Sequence, residues 1–231
     1  MKFGLGVPNG GDFAEPSRLA ALAREAEDAG WDGFFLWDHV IRRQPWQPMV
    51  DPWVTLAAVA MSTDRLVLRP MVTPLARRRV SVVARQSVTL DVLSGGRLIL
   101  GVAAGYLKGE FEALGADLRT RGIAMDEILD ILPNAWSGEP FRHSGSVYDL
   151  PEVAVRPTPA APIPIVIGGS AEPAIRRAAR LTQGVFANAP VDGFARQVEW
   201  TLDELDRCGR SPDDFRFIHY SILYPADSEE Q

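Results

Sequence analysis

Short apolar runs alternate along this chain with longer stretches in which apolar residues recur every three or four positions. That is the pattern of repeated βα units around a parallel sheet. The first run, Phe3 to Val7, is broken by Pro8-Asn9-Gly10-Gly11. Pro16 suits a first helical turn, and Leu19, Leu22, Ala23 and Ala26 mark one face of a helix that stops at Gly30. A second strand, Gly33 to Trp37, enters Asp38-His39, a helix is expected over Pro52 to Met61, and a third strand, Leu66 to Val72, is punctuated by Pro70 and Pro74. Val82 to Leu93 reads as a helix closed by Ser94-Gly95-Gly96, and Arg97 to Val102 as the fourth strand.

Ala103 to Arg119 is too long for a simple connection and is a candidate functional loop. Met125, Ile128, Leu129 and Leu132 mark the next helix, "GEPFRHSGSVYDL" a small hairpin, and "RPTPAAPIPI" an extended linker into a fifth strand, Ile163 to Ile167. A helix follows Gly168-Gly169-Ser170, the sixth strand is Gly184 to Asn188, Val198, Leu202 and Leu205 line another helix, and the last strand is Phe215 to Leu223. Seven strands, six of them followed by helices, predict an α/β fold of the TIM (β/α)8 type rather than an open doubly wound sheet. Only "PADSEEQ" follows Tyr224, so the eighth βα unit is expected to be missing, with the barrel shortened, completed by a partner chain, or truncated.

Composition narrows the function. At 231 residues and 46% hydrophobic, the chain reads as one domain over 1–231. The net charge of -6 argues against nucleic acid or anionic lipid as a partner and favours a small molecule. A single cysteine, Cys208, excludes an internal disulfide or a thiolate metal cluster. "MKFGLGVPNGG" lacks an apolar core of signal-peptide length, and no segment reaches the ~18 apolar residues of a membrane span, so a soluble cytoplasmic protein is expected. Only Lys2 and Lys108 are lysines among 24 bases, which leaves little amine for Schiff-base chemistry.

Strand ends at the carboxyl face of such a barrel carry its chemistry. Asp38 and His39 sit at one. The pair reads either as an imidazole oriented by an adjacent acid for proton transfer, or as a polar strand terminus satisfied by its own backbone. Core or surface roles are expected for His143 and His219. Arg77, Arg78 and Arg79 open a helix, where cations oppose its dipole by ~0.3 to 1 kcal/mol each. They read as a seat for an anionic ligand tail or as a solvated, ion-paired helix start. Gly168, Gly169 and Ser170 lie between a strand and a helix N-terminus, as a phosphate seat does, though an ordinary turn with a serine N-cap has the same residues. Gly4 to Gly10 lacks the spacing of a dinucleotide fingerprint, and no histidine pair has a metal-ligand spacing, so no metal is expected.

Several pieces together, "LAREAEDAGWDGFFLWDHV", "DPWVTLAAVAMSTDRLVLRPMVTPLARRR", "SVTLDVLSGGRLILGVAAGYLKGEFEALG", "RGIAMDEILDIL", "WSGEP" and "IPIVIGGSAEPAIRRAARLTQGVF", resemble the luciferase-like flavin and deazaflavin oxidoreductases. The resemblance covers residues 1 to about 190. It implies FMN or coenzyme F420 as cofactor, and Asp38 and His39 lining its ring. It also implies a non-prolyl cis peptide at Pro70-Met71 behind the ring, with Thr73 approaching it, and a phosphate at Gly168, Gly169 and Ser170. The charged F420 tail would partner Arg77 to Arg79. Gly105 lies at the same mouth. Tyr106 stands where the family's F420-dependent sugar-phosphate dehydrogenases carry a glutamate, and a phenol is a poor base near neutrality. The function implied is hydride transfer between F420 (or FMN) and a small organic substrate, with His39 and Tyr106 handling the proton, in a homodimer. An FMN-dependent monooxygenase using O2 and a non-catalytic flavin-binding protein are the alternatives, and a cofactor-free isomerase or aldolase is disfavoured by the missing strand-end lysine.

Overall fold

In the computed structural model, which describes residues 1–41, 47–187 and 189–221, three parallel strands stand side by side at the start of the chain. They are β1 (Gly4–Val7), β2 (Gly33–Leu36) and β3 (Val67–Pro70), in a register that aligns Gly6, Phe35 and Arg69. Helices α1 (Pro16–Asp28) and α2 (Pro52–Ser62) make the crossovers. A short β4 (Thr73–Pro74) follows β3, helix α3 (Val80–Leu93) leads to β5 (Leu100–Ala103), and β4 pairs with β5 in parallel. Gly95 and Gly96 both take positive φ, which turns the chain sharply between α3 and β5. The expected third strand, Leu66 to Val72, is thus shorter, ending at Pro70, and Thr73–Pro74 beyond it forms a strand of its own.

Alternation along β2 sets the core. Phe34 and Leu36 are fully buried on one face. Phe35 points to the other face, where the Arg69 guanidinium lies 4.1 Å above its ring. This side chain is the largest fully buried one, and burial pushes its pKa down to about 10. The room is made by glycine: a Cβ on Gly33 would come within 2.6 Å of the Phe35 ring, and one on Gly101 within 2.2 Å of the Pro70 carbonyl.

The segment after β5 contains a helix, α4 (Lys108–Ala113), where the sequence reads as a loop. Helix α5 (Arg121–Ser137) then leads to the expected hairpin, β6 (Phe141–Ser144) against β7 (Asp149–Val153). By contact the chain divides into two units, Met1–Ile165 and Val166–Gln231. The second unit opens inside β8 (Ile165–Gly168) and continues with α6 (Glu172–Leu181), β9 (Gly184–Ala187), α7 (Val191–Arg207) and β10 (Arg216–His219). Here β9 lies between β8 and β10, parallel to both. Asn188, expected in the sixth strand, and Ile222 and Leu223, expected in the last, lie outside the described residues. No helix among the described residues is long and apolar enough to cross a membrane.

Glu27, near the end of α1, ties that helix to the start of β3. Its buried carboxylate accepts the backbone N–H groups of Asp64 (2.9 Å), Arg65 (2.7 Å) and Leu66 (3.0 Å). Burial alone would raise its pKa, but these bonds and the Arg65 charge outweigh it and hold the group below the ordinary carboxylate value. A carboxyl depressed in this way contributes stability above its unfolded pKa and loses that contribution as pH falls through the folded value. Glu27→Gln is therefore expected to lower the unfolding free energy at neutral pH by about 1–3 kcal/mol. Urea denaturation repeated from about pH 7 down to about pH 3 should show the deficit shrinking in acid; a constant deficit would refute the assignment.

Candidate active site

The ladder continues past β2, since the Trp37 N–H donates to the Val7 carbonyl at 3.0 Å. Asp38 and His39 then turn apart. Asp38 is 2% exposed. Its Oδ2 accepts the Thr73 hydroxyl (2.7 Å) and Arg78 (2.8 Å), while Oδ1 accepts Arg77 (2.9 Å) and Arg78 (2.8 Å). Four bonds fill the roughly four lone-pair positions of a carboxylate. Arg77 also donates to the Asp38 carbonyl. The Thr73 hydroxyl accepts the Trp53 indole N–H at 3.2 Å. Trp53 is placed by the start of α2, where the Asp51 carboxylate caps the N–H groups of Trp53 and Val54, both at 2.9 Å.

His39 faces a different acid. Its Nδ1 lies 3.2 Å from Oε1 of Glu110, and the same oxygen accepts the backbone N–H groups of Val40 (2.8 Å) and Ile41 (3.3 Å). The other oxygen of Glu110 is 3.3 Å from Arg77. Burial pushes the Glu110 pKa up, but the His39 bond, the backbone bonds and Arg77 together bring it below the ordinary value. Arg77 is itself pushed down by burial, against the pull of Asp38 and Glu110. Asn9 holds the backbone nearby: its side-chain amide donates to the carbonyls of His39 (2.8 Å) and Val50 (2.7 Å), and its carbonyl accepts the His39 N–H at 3.3 Å. Among the described residues nothing hydrogen-bonds Nε2 of the half-buried His39.

Several expectations are corrected by this geometry. Asp38 does not orient His39, because its carboxylate is taken up by Thr73, Arg77 and Arg78 while His39 Nδ1 meets Glu110. Nor does Asp38 offer a free oxygen to a ligand. The Thr73 hydroxyl is spent between Asp38 and Trp53. Arg77 and Arg78 are ion-paired internally instead of lining an anionic tail; Arg79 alone of the three is exposed. The non-prolyl cis peptide is Met71-Val72, one bond later than expected. Pro70 still pairs with Leu36, and the Met71 N–H still donates to the Leu36 carbonyl, so the ladder runs through the Pro70-Met71 bond. Met71 is buried near Arg69. Gly105, at φ 91°, brings its backbone against Phe111 and Pro74, and Tyr106 is 74% exposed.

Glu110 escaped the reading of single residues. A helical reading of Lys108 to Glu112 finds it, since Lys108 and Glu112 form an exposed i,i+4 ion pair at 3.3 Å and leave Glu110 and Phe111 on the inner side. His143 is held between Glu127 and Asp130, at 3.4 Å from each, and His219 lies against the Ala189 carbonyl at 2.8 Å. Residues 42–46, which follow this site in the chain, lie outside the described residues.

In the second unit, Gly168 pairs with Phe186, and the Gly169 N–H donates to the Phe186 carbonyl at 3.1 Å. A Cβ on Gly169 would lie 2.9 Å from that of Ala174, so glycine lets the turn close onto α6. Ser170 does not cap α6, whose N-cap is Ala171 without a side-chain bond. Its hydroxyl is left at an exposed position, and its carbonyl is held by Gln197 at 3.1 Å.

The chain matches the luciferase-like monooxygenase family over residues 1–231 and belongs to it. A curated relative from Nakamurella multipartita, an F420-dependent glucose-6-phosphate dehydrogenase, is 35% identical over 228 residues, covering 93% of this chain and 66% of that one. Among solved structures, the coenzyme F420-dependent tetrahydromethanopterin reductase of Methanopyrus kandleri superposes with a TM-score of 0.83 at 23% identity, over 95% of this chain and 65% of that one. The FMN-bound oxygenating constituent of a type II Baeyer-Villiger monooxygenase from Pseudomonas putida gives 0.78 at 22%, over 92% and 64%. The fold is thus the α/β TIM-barrel type of these enzymes. The chain spans about half to two thirds of the length of the curated relatives it matches.

Asp38→Asn would leave Arg77 and Arg78 without their shared charge in a buried position. It should lower stability by about 3–5 kcal/mol, as breaking one side of a buried ion pair does. Chemical denaturation measures this, and a loss below about 1 kcal/mol, the scale of an exposed pair, would refute the clamp.

Proposed function

We propose that this protein is an oxidoreductase that moves a hydride between coenzyme F420 and a small organic substrate. The observation that carries this reading is His39, whose Nδ1 is held by a buried carboxylate while Nε2 has no partner among the described residues, at the carboxyl end of β2. When bound, the deazaflavin ring supplies the centre that accepts or donates the hydride. His39 then takes or returns the substrate's proton at Nε2. In the second unit, taken by itself, the exposed Ser170 hydroxyl beside α6 is the group that would meet a phosphate, since the Gly169 N–H is already bonded to Phe186. The preference for F420 rests on named relatives such as the 35% identical dehydrogenase; of the arginines expected to meet its tail, only Arg79 remains exposed for that role. Tyr106, exposed where those dehydrogenases are expected to carry a glutamate, argues for a substrate other than a sugar phosphate. The FMN-bound monooxygenase of the same fold keeps an O2-using flavin enzyme as the second reading.

Absorption titration with F420 and with FMN separates the two readings, and binding of neither overturns both. His39→Ala should slow turnover by roughly a hundredfold or more while cofactor affinity changes little; unchanged turnover would remove His39 from the reaction.

Helix α2 supports a homodimer. It holds no charged residue, and Val54 and Met61, on its outer face, are 67% and 69% exposed. Such a face is covered when two copies meet across a two-fold axis. The single, exposed Cys208 is consistent with a cytoplasmic location. Light scattering should give a dimer mass that falls to the monomer in a Val54→Glu/Met61→Glu double variant; a wild-type monomer would refute the interface.

A further inference from the structure

We propose that Glu110 is a positioning residue that fixes the neutral imidazole of His39 with its proton on Nδ1, so that the lone pair is presented at Nε2. This rests on the reading above only for its use in catalysis; the tautomer itself is a property of the protein without any cofactor.

Glu110 Oε1 is an acceptor already committed to the N–H groups of Val40 and Ile41, so it has no proton to offer. An imidazole nitrogen 3.2 Å away bonds to it only by donating. The carboxylate is kept in its charged form by Arg77, whose side chain is fully buried and 3.3 Å from Oε2. Asn9 grips the backbone on both sides of the His39 Cα, through its N–H and its carbonyl, and the Trp37 ring stands edge-on at 6.0 Å. Among the described residues, the remaining charges near this pair are Asp38, whose oxygens are filled by Thr73, Arg77 and Arg78, and Arg78 itself, turned onto Asp38. No other acid among the described residues is bonded to Nδ1. The arrangement is the one by which a buried carboxylate selects an imidazole tautomer and leaves the opposite nitrogen reactive.

The chain has only three histidines, so 15N-labelled histidine spectra of the full chain are assigned with a His39→Gln variant alone. In the spectrum of the neutral ring, identified by its 15N shifts, the wild-type His39 should show a protonated Nδ1 and an unprotonated Nε2. A wild-type Nε2–H tautomer overturns the proposal. Glu110→Leu, checked for folding by its thermal transition, should shift the ring toward the Nε2–H form. It should also lower kcat by about ten- to a hundredfold with little change in cofactor affinity. An unchanged tautomer in the folded variant overturns the proposal too. If Glu110→Leu does not fold, the wild-type spectrum decides. Failure of F420 and FMN to bind would overturn the proposed activity and leave the tautomer result standing.

Discussion

Everything near the carboxyl ends of β2 and β4 depends on one buried carboxylate. Asp38 collects the hydroxyl of Thr73 and the guanidinium groups of Arg77 and Arg78, and so joins the exit of β2 to β4 and to the segment that enters α3. Ions buried this deeply are costly to desolvate, and the cost is offset only when every lone pair has a donor. That condition fixes the geometry more tightly than apolar packing does. Through Trp53 it reaches α2, and through Arg77 it reaches Glu110 on α4. His39 is therefore held at the end of a chain of contacts that begins in the core.

The fold was legible where local pattern and tertiary structure agree. Phe34 to Leu36 alternate, Gly95-Gly96 turns the chain, and the hairpin from Phe141 to Val153 forms as its residues suggest. The site was legible in part. His39 could be picked out because it ends a strand, but its partner could not be read from its neighbour. Adjacency in the sequence pairs His39 with Asp38; in the fold Asp38 is taken up by arginines, and the acid that meets the imidazole comes from 71 positions along the chain. The arginines misled for a related reason. Three cations at a helix start have the same sequence whether they await an anion or already hold one, and only folding shows that Arg77 and Arg78 hold Asp38.

Family membership adds a frame without supplying the detail. The relatives share the fold at low identity, and they include proteins named for F420 and for FMN. Tyr106 projects into solvent from a turn pinned by Gly105 against Phe111, while the neighbouring helix α4 sends Glu110 inward. This short helix itself divides its side chains between the interior network, through Glu110 and Phe111, and the open surface, through Lys108 and Glu112.

Helix α4 has a practical consequence through its first residue. Arginine supplies nearly all of the positive charge in this protein, and Lys108 is one of only two lysines. Its ammonium is on the surface, paired with Glu112, two positions from the acid that meets His39. Amine-directed chemistry on this chain therefore has a very small number of targets. One of them sits on the outer side of the segment whose inner side holds the imidazole, so a dye attached there would report on the site without entering it.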